Sequence, residues 1–206
     1  MKSHMKVVVF SAGFILLICL SLGIGLKIYT VNTQALSIPL EKYNLHEEVF
    51  LDGSFITSSK EMTLGYSLTV NNVSLLSQNE YIKKYGEGSN ISDEWNAKSI
   101  IEVEITIRNE GNSEGYLDVM GWRLVPERGN EYFIPNSSLW QIGEPNAPGI
   151  TSALSLIPDS EYTVNIPFVR NVGEEEMFIK DISDTRFSLV VSDAPVKKEI
   201  GFEIEV

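Results

Sequence analysis

Residues 100–109 read IIEVEITIRN. Ile101, Val103, Ile105 and Ile107 alternate with Glu102, Glu104, Thr106 and Arg108. A period of two puts every second side chain on the same face, so this stretch predicts a strand with one buried and one wet face. The same period recurs along the chain. Ile200, Phe202, Ile204 and Val206 alternate with Glu199, Gly201, Glu203 and Glu205. Tyr162, Val164, Ile166 and Phe168 form a further set, as do Phe187, Leu189 and Val191, and Met120, Trp122 and Leu124. Pro167 lacks an amide hydrogen, which predicts that its strand is an edge or ends there. Leu64, Tyr66, Leu68 and Val70 start another strand, whose phase then slips to Val73 and Leu75. An odd shift requires a bulge, and Asn71-Asn72 is the natural place for it. Shorter candidate strands are 49–51, 131–134 and 152–156.

Turn-forming clusters separate these runs at Glu110-Gly111-Asn112-Ser113, Arg128-Gly129-Asn130 and Pro158-Asp159-Ser160. About seven to nine short strands so punctuated predict an all-β fold, an antiparallel β-sandwich of Ig-like type. A β-barrel is the runner-up. The strands do not alternate with helical patterns, which argues against α/β folds. One short helix is expected. Ser77-Gln78-Asn79-Glu80 has the form of a capping box, and Gly86 supplies a stop. Residues 86–97 read as a loop.

Ahead of the strands, Val7 to Leu26 reads VVVFSAGFILLICLSLGIGL, with no charged residue. As a helix it spans about 30 Å, the hydrocarbon thickness of a bilayer. Lys2 and Lys6 precede it, which keeps the N-terminus cytoplasmic and sends the rest outward. The expected organisation is a short cytoplasmic end (1–6), a transmembrane or signal-anchor helix (7–26), a stalk (27–47) and a β-sandwich (48–206). A competing expectation is a cleaved signal peptide, with Thr33-Gln34-Ala35 as the small-residue site and release after Ala35. Lipidation at Cys19 fits poorly, because Ile18 before it is large and apolar sequence continues beyond it.

The chain carries a net charge of −12. Residues 1–40 hold Lys2, Lys6 and Lys27 and no acid, so all 28 Asp and Glu lie beyond them. A domain this acidic is repelled by nucleic acid and by anionic headgroups. The only cysteine, Cys19, lies in the apolar segment, so no disulfide forms within the domain. Its two histidines, His4 and His46, fall outside the strand-rich body, which leaves no general base for a Ser-His-Asp arrangement. Cys/His clusters for zinc and phosphate-binding glycine motifs are absent from the sequence. Glu174-Glu175-Glu176 offers carboxylates for Ca²⁺, but the spacing matches no dedicated loop. The expectation is therefore no catalytic residue, no cofactor and no metal. Sequons at Asn72, Asn90 and Asn136 read as coincidental in a polar chain. Trp122 shares a face with Met120 and Leu124 and reads as core. Trp140, in the less regular stretch Asn136-Ser137-Ser138-Leu139-Trp140, is the one candidate ligand-facing residue, suited to a peptide or glycan.

The succession GYSLTVNNVSLLS, EYIKKYG, IIEVEITIRNEGNSEGYLDVMGWRLV, YFIPNSSLWQI and SLIPDSEYTVNIPF resembles the uncharacterised membrane-anchored or lipid-anchored proteins of Gram-positive bacteria that carry one Ig-like domain. The resemblance covers residues 46–206. It implies an Ig-like sandwich outside the membrane and carries over no catalytic residue. The function expected is a non-catalytic, extracytoplasmic interaction module on a single-pass anchor at the cell membrane, with an envelope protein, peptide or glycan as partner. The alternatives are a secreted binding factor and, behind it, a carboxylate- or metal-dependent envelope enzyme.

Overall fold

The computed structural model describes residues 18, 20–30, 38–86, 99–128, 132–144, 153–170 and 185–204. The chain divides into two units, Met1–Ser37 and Ile38–Val206. In the first, residues 18 and 20–30 are helical. No helix among the described residues is long and apolar enough to cross a membrane. Most of the expected 7–26 span lies outside the described residues.

The second unit is built of strands: β1 (Leu40–Asn44), β2 (Glu48–Phe50), β3 (Tyr66–Leu76), β4 (Ile100–Asn109), β5 (Leu117–Asp118), β6 (Arg123–Pro126), β7 (Phe133–Pro135), β8 (Ala153–Leu154), β9 (Ser160–Arg170), β10 (Arg186–Ser192) and β11 (Lys197–Glu203). Two short helices accompany them, α1 (Gln78–Tyr85) and α2 (Ser137–Gly143). Nine strands form one sheet in the order β1-β11-β10-β6-β7-β9-β4-β3-β2, and β5 pairs with β8 in a separate ribbon. The sheet curls until it nearly closes. Its two edge strands, β1 and β2, are consecutive in the chain, and the turn joining them is fixed where the His46 amide donates to the Val70 carbonyl at 3.1 Å.

Alternation in β4 does what its pattern predicts. Ile101, Val103, Ile105 and Ile107 are fully buried and join the main core with Leu68, Val70, Trp122, Val164, Ile166, Phe168, Phe187, Leu189 and Ile200. Thr106 and Arg108 face outward, where Thr106 pairs with Thr163 of β9 at 2.8 Å. The bulge falls where the phase slips, with the β3–β4 register shifting between Val70 and Asn72. Helix α1 has the predicted capping box: Ser77 and Glu80 each bond the other's backbone amide. The Gly86 amide closes it onto the Ile82 carbonyl. The all-β class is as expected.

Several details differ. β1 runs parallel to β11, with Leu40 opposite Lys197 and Asn44 opposite Gly201. The sheet is therefore mixed rather than antiparallel throughout. β1 also lies inside the stretch read as a stalk. Its side chains are almost all exposed, so it shows no alternation, and what holds it is backbone pairing and a lysine described below. Pro167 is neither at an edge nor at an end: β9 pairs with β4 on one side and β7 on the other. Its carbonyl accepts from the Asn136 amide just past the end of β7, so the side on which proline cannot donate faces a strand that has already stopped. Met120, Trp122 and Leu124 do not share a strand, because Val119–Gly121 forms a 3-10 turn and β6 starts at Arg123. Trp122 is nonetheless core, at 1% exposure. The expected turn residues Gly129 and Asn130, the loop residues 87–97, Glu174–Glu176 and Val206 lie outside the described residues.

Truncating the β4 core tests this arrangement. Ile105→Ala is expected to lower unfolding free energy by about 2–5 kcal/mol, from lost burial and the cavity left behind. Glu161→Ala, on the exposed face of β9, should stay within about 0.5 kcal/mol of the parent. Urea unfolding of the two variants measures both.

Candidate functional site

Three loops meet where β3 begins and β4 ends, and polar side chains knit them together. Asn109, fully buried, donates from Nδ2 to the Asn112 carbonyl at 2.7 Å and to the Leu156 carbonyl at 2.8 Å. Its Oδ1 accepts from the Asn112 amide at 2.9 Å. The Tyr66 hydroxyl donates to the Gly115 carbonyl at 3.1 Å and accepts from the Leu156 amide at 3.2 Å. Asn112 donates to the carbonyls of Met62 and Leu64, both at 2.6 Å, and accepts from the amides of Glu114 and Gly115. Asn112 thus holds the β2–β3 loop against the β4–β5 loop, and Asn109 holds the β8–β9 loop to both.

Glu61 is the buried carboxylate of this end, at 2% exposure. It accepts from the amides of Thr57 at 2.8 Å and Ser58 at 3.0 Å, while its second oxygen faces the Asp118 amide at 3.5 Å. Backbone amides aimed at its oxygens compensate the removal of this carboxyl group from water. Thr63 closes the loop on itself by donating to the Ser54 carbonyl at 2.6 Å. Gly115 sits where no side chain fits, since a Cβ there would lie 2.1 Å from the Met62 carbonyl oxygen.

These buried bonds hold the loops in a conformation that turns apolar side chains outward. Leu64 is 69% exposed and Ile157 is 78% exposed, and Met62 beside them is exposed as well. A second group joins them through β1. Lys198, 3% exposed, donates to Glu41 at 2.6 Å, lies 3.9 Å from Asp52, and stands over the Tyr43 ring. Burial opposes its charge most strongly, but the bond to Glu41 and the charges of Tyr43 and Glu41 together outweigh it and keep its pKa above the ordinary lysine value. The Lys197 amide donates to the Pro39 carbonyl at 2.8 Å, and Phe55 bridges to Ala194. The start of β1 therefore lies beside the same loop that carries Ser54 and, beyond it, Met62 and Leu64. Exposed Ile38, Leu40 and Phe50 border this region. Of the seven large apolar side chains exposed among the described residues from 38 onward, six are at this end, and the seventh is Tyr132.

The two helices pack against each other, α1 beside β3 and α2 beside β9. Tyr81, Ile100 and Leu139 form a small second core there, and the Tyr81 hydroxyl donates to the Leu139 carbonyl at 3.0 Å. Burial, then the charges of Glu102, Tyr85 and Glu144, push that hydroxyl's pKa up. Lys84 bonds Glu102, which is 3% exposed and has one oxygen without a partner. Glu144 accepts from the Tyr162 hydroxyl at 2.9 Å and from the Asn165 amide at 3.4 Å. Trp140 lies in α2, a helix that was not foreseen. Asn136 caps it by accepting from the Leu139 amide at 2.9 Å, so the side chain of that sequon is already engaged. Trp140 is 5% exposed and packs in the main core, with its indole N–H lacking a partner. It is not brought together with the loop end. No three His, Cys, Asp or Glu side chains among the described residues are grouped so as to hold a metal ion.

Residues 40–198 match the model of a family described as a domain of unknown function, DUF5028. The chain belongs to that family. No curated protein and no solved structure matches it. The DUF5028 region starts at the first residue of β1 and reaches Lys198, the residue that pins β1 to β11. Apart from Ile38, the loop end, the two helices and Trp140 all fall inside it. Sequence reasoning did not single out the loop end, because Ile38, Leu64 and Ile157 are far apart in the chain and each looks unremarkable alone. The available signal was Asn-rich turn chemistry around Asn109 and Asn112.

Two measurements probe this region. Gly115→Ala must displace the Met62 backbone, so it should destabilise the unit by more than the roughly 1 kcal/mol typical of a substitution, read by thermal unfolding. Tyr162 is raised from 10.0, first by burial and then by its bond to Glu144, up to about 12. The neutral phenol is favoured in the fold, so its stabilisation is complete below pH 10 and is lost as pH rises towards about 12. Glu144→Gln should lower that pKa, and a near-ultraviolet absorbance titration compared with Tyr162→Phe reports it.

Proposed function

We propose that this chain is a non-catalytic interaction module on the outer face of a cell membrane, held there by residues 7–26. The observation that carries this reading is the state of the first unit. Residues 20–30 are helical, and Leu20, Leu22, Ile24, Leu26 and Ile28 are all exposed, at 57% or more. Within 20–26 only Ser21 carries a polar side chain, and a helix with so little polar surface is unstable in water and is accommodated by lipid. The uncharged run from Val7 supplies the remaining length for a span of about 30 Å. The two lysines before it favour the orientation that exports the β unit.

An Ig-like assignment of the curled sheet, and kinship with Gram-positive envelope proteins, accord with this placement. The interaction role is supported by how the β unit uses its polar groups. Asn109, Asn112, Tyr66, Glu61 and Lys198 each fasten one loop or strand to another, which makes a rigid scaffold presenting loops. An envelope protein, peptide or glycan is the partner class proposed. Tethering keeps the module at high effective concentration near such partners.

The test uses intact cells. The full chain is expected to stay with membranes through an alkaline carbonate wash, to be extracted by detergent, and to be cut by protease added outside. Deleting 7–26 should abolish the membrane association. A mature N-terminus located just after Ala35 by mass spectrometry would replace the anchored form by the secreted one.

A further inference from the structure

The loop end gathers exposed apolar side chains and is also the end from which the chain leaves the β unit. We infer that this end is a second membrane contact, an apolar seat in which Leu64, Ile157 and Met62 rest against the bilayer that holds residues 7–26. The inference rests on the anchoring proposed above.

Three features select lipid as the occupant. The first is reach. From Thr30, the last described helical residue of the first unit, to Ile38 the chain can extend by at most about 28 Å. On the proposed anchoring this tether limits how far the start of β1 can stand from the bilayer, and Lys198 and the Phe55–Ala194 bridge hold the Met62 and Leu64 loop next to that start. The second is the chemistry of the exposed groups. Leu64, Ile157, Met62, Ile38 and Leu40 are apolar and lie on two loops or at a strand start. The carbonyls of Met62 and Leu64 are bonded to Asn112, that of Ile157 to the Ser160 hydroxyl, and Leu40 is paired with β11. Side chains of this kind enter the interfacial zone without exposing unpaired backbone to it. The third is distribution. Away from this end, where Leu40 and Phe50 also lie, only Tyr132 is a large exposed apolar residue among those described, so the apolar end is not a general property of the surface.

The charges at this end set the headgroup. Asp52, Glu110, Glu114 and Asp159 belong to the loops of this end, with Lys60, Arg108 and Lys197 as its cations. Anionic lipid is disfavoured there, so the seat is suited to zwitterionic headgroups. This is opposite to the basic patches that bind acidic membranes.

The experiment reconstitutes the full chain, with Cys19→Ser, in phosphatidylcholine vesicles. Single probes are placed at Leu64→Cys, Ile157→Cys and, as a control, Tyr132→Cys. Nitroxide-labelled lipids then report depth. Flotation with the vesicles is required first, and failure to float overturns the anchoring reading and this one together. Given flotation, probes at 64 and 157 should be quenched several-fold more than the probe at 132, at the roughly 5–10 Å depth of interfacial side chains. Replacing part of the lipid by phosphatidylglycerol should reduce that quenching. Flotation with equal or no quenching at the three sites overturns the seat and leaves the anchor standing. Energy transfer between labelled copies at 64 and 157, without lipid quenching, assigns the surface to a second copy and overturns the seat.

Discussion

A sheet that curls until its edges nearly meet leaves an interior that only apolar side chains can fill. Most of what is distinctive about this chain follows from that constraint. Val103, Ile105, Ile166, Phe168, Phe187 and Leu189 occupy the inside with no exposure. Polar chemistry is then excluded from the middle of the unit and confined to its loop end and the outer strand faces. The buried polar side chains obey the same rule. Asn109 and Glu61 are at the loop end, Lys198 is at the β1 edge, and Glu102 lies under the helices. Each is compensated by backbone amides or an opposite charge, as burial in a low dielectric requires.

Closure also explains why β1 matters more than its five residues, four of them exposed, suggest. As an edge strand it buries little, and among the described residues its strand partner is β11 alone. Lys198 adds the rest. A lysine this buried stays charged only with a partner, and Glu41 is that partner, with its own pKa lowered first by the Lys198 bond and then by that from Tyr43. The first strand after the N-terminal unit is thus fastened near the C-terminal end of the family region by one ion pair and five pairing positions.

Legibility from sequence divided along the same physical line. Where a residue's environment repeats every second position, the pattern was readable: β4, the bulge after Val70, and the α1 capping box were all located from local spacing. Where an element is held by a distant partner, it was not. β1 lacks alternation because neither of its faces is buried. Asn136-Ser137-Ser138 read as irregular because its cap signal lacks the acid that completes the box in α1. Pro167 misled because the rule about edges concerns the missing donor, and here that donor faces the end of β7. The loop end was illegible for a related reason. Its residues are brought together by Asn109 and Asn112 across dozens of positions, and no local window contains more than one of the three loops.

The acidity of the β unit and the apolar character of its loop end are compatible, and together they restrict orientation. Like charges spread over the exposed strand faces keep those faces apart from an acidic surface and from one another. Ordinary Coulomb repulsion fades over about one Debye length, roughly 8 Å at physiological salt. On the anchoring and the apolar seat proposed above, an end-on approach carries fewer carboxylates within that distance than a side-on one. It also brings forward Leu64 and Ile157, the most exposed apolar side chains of the β unit among the described residues. The interaction role proposed for the module then falls to the surfaces that the seat leaves free.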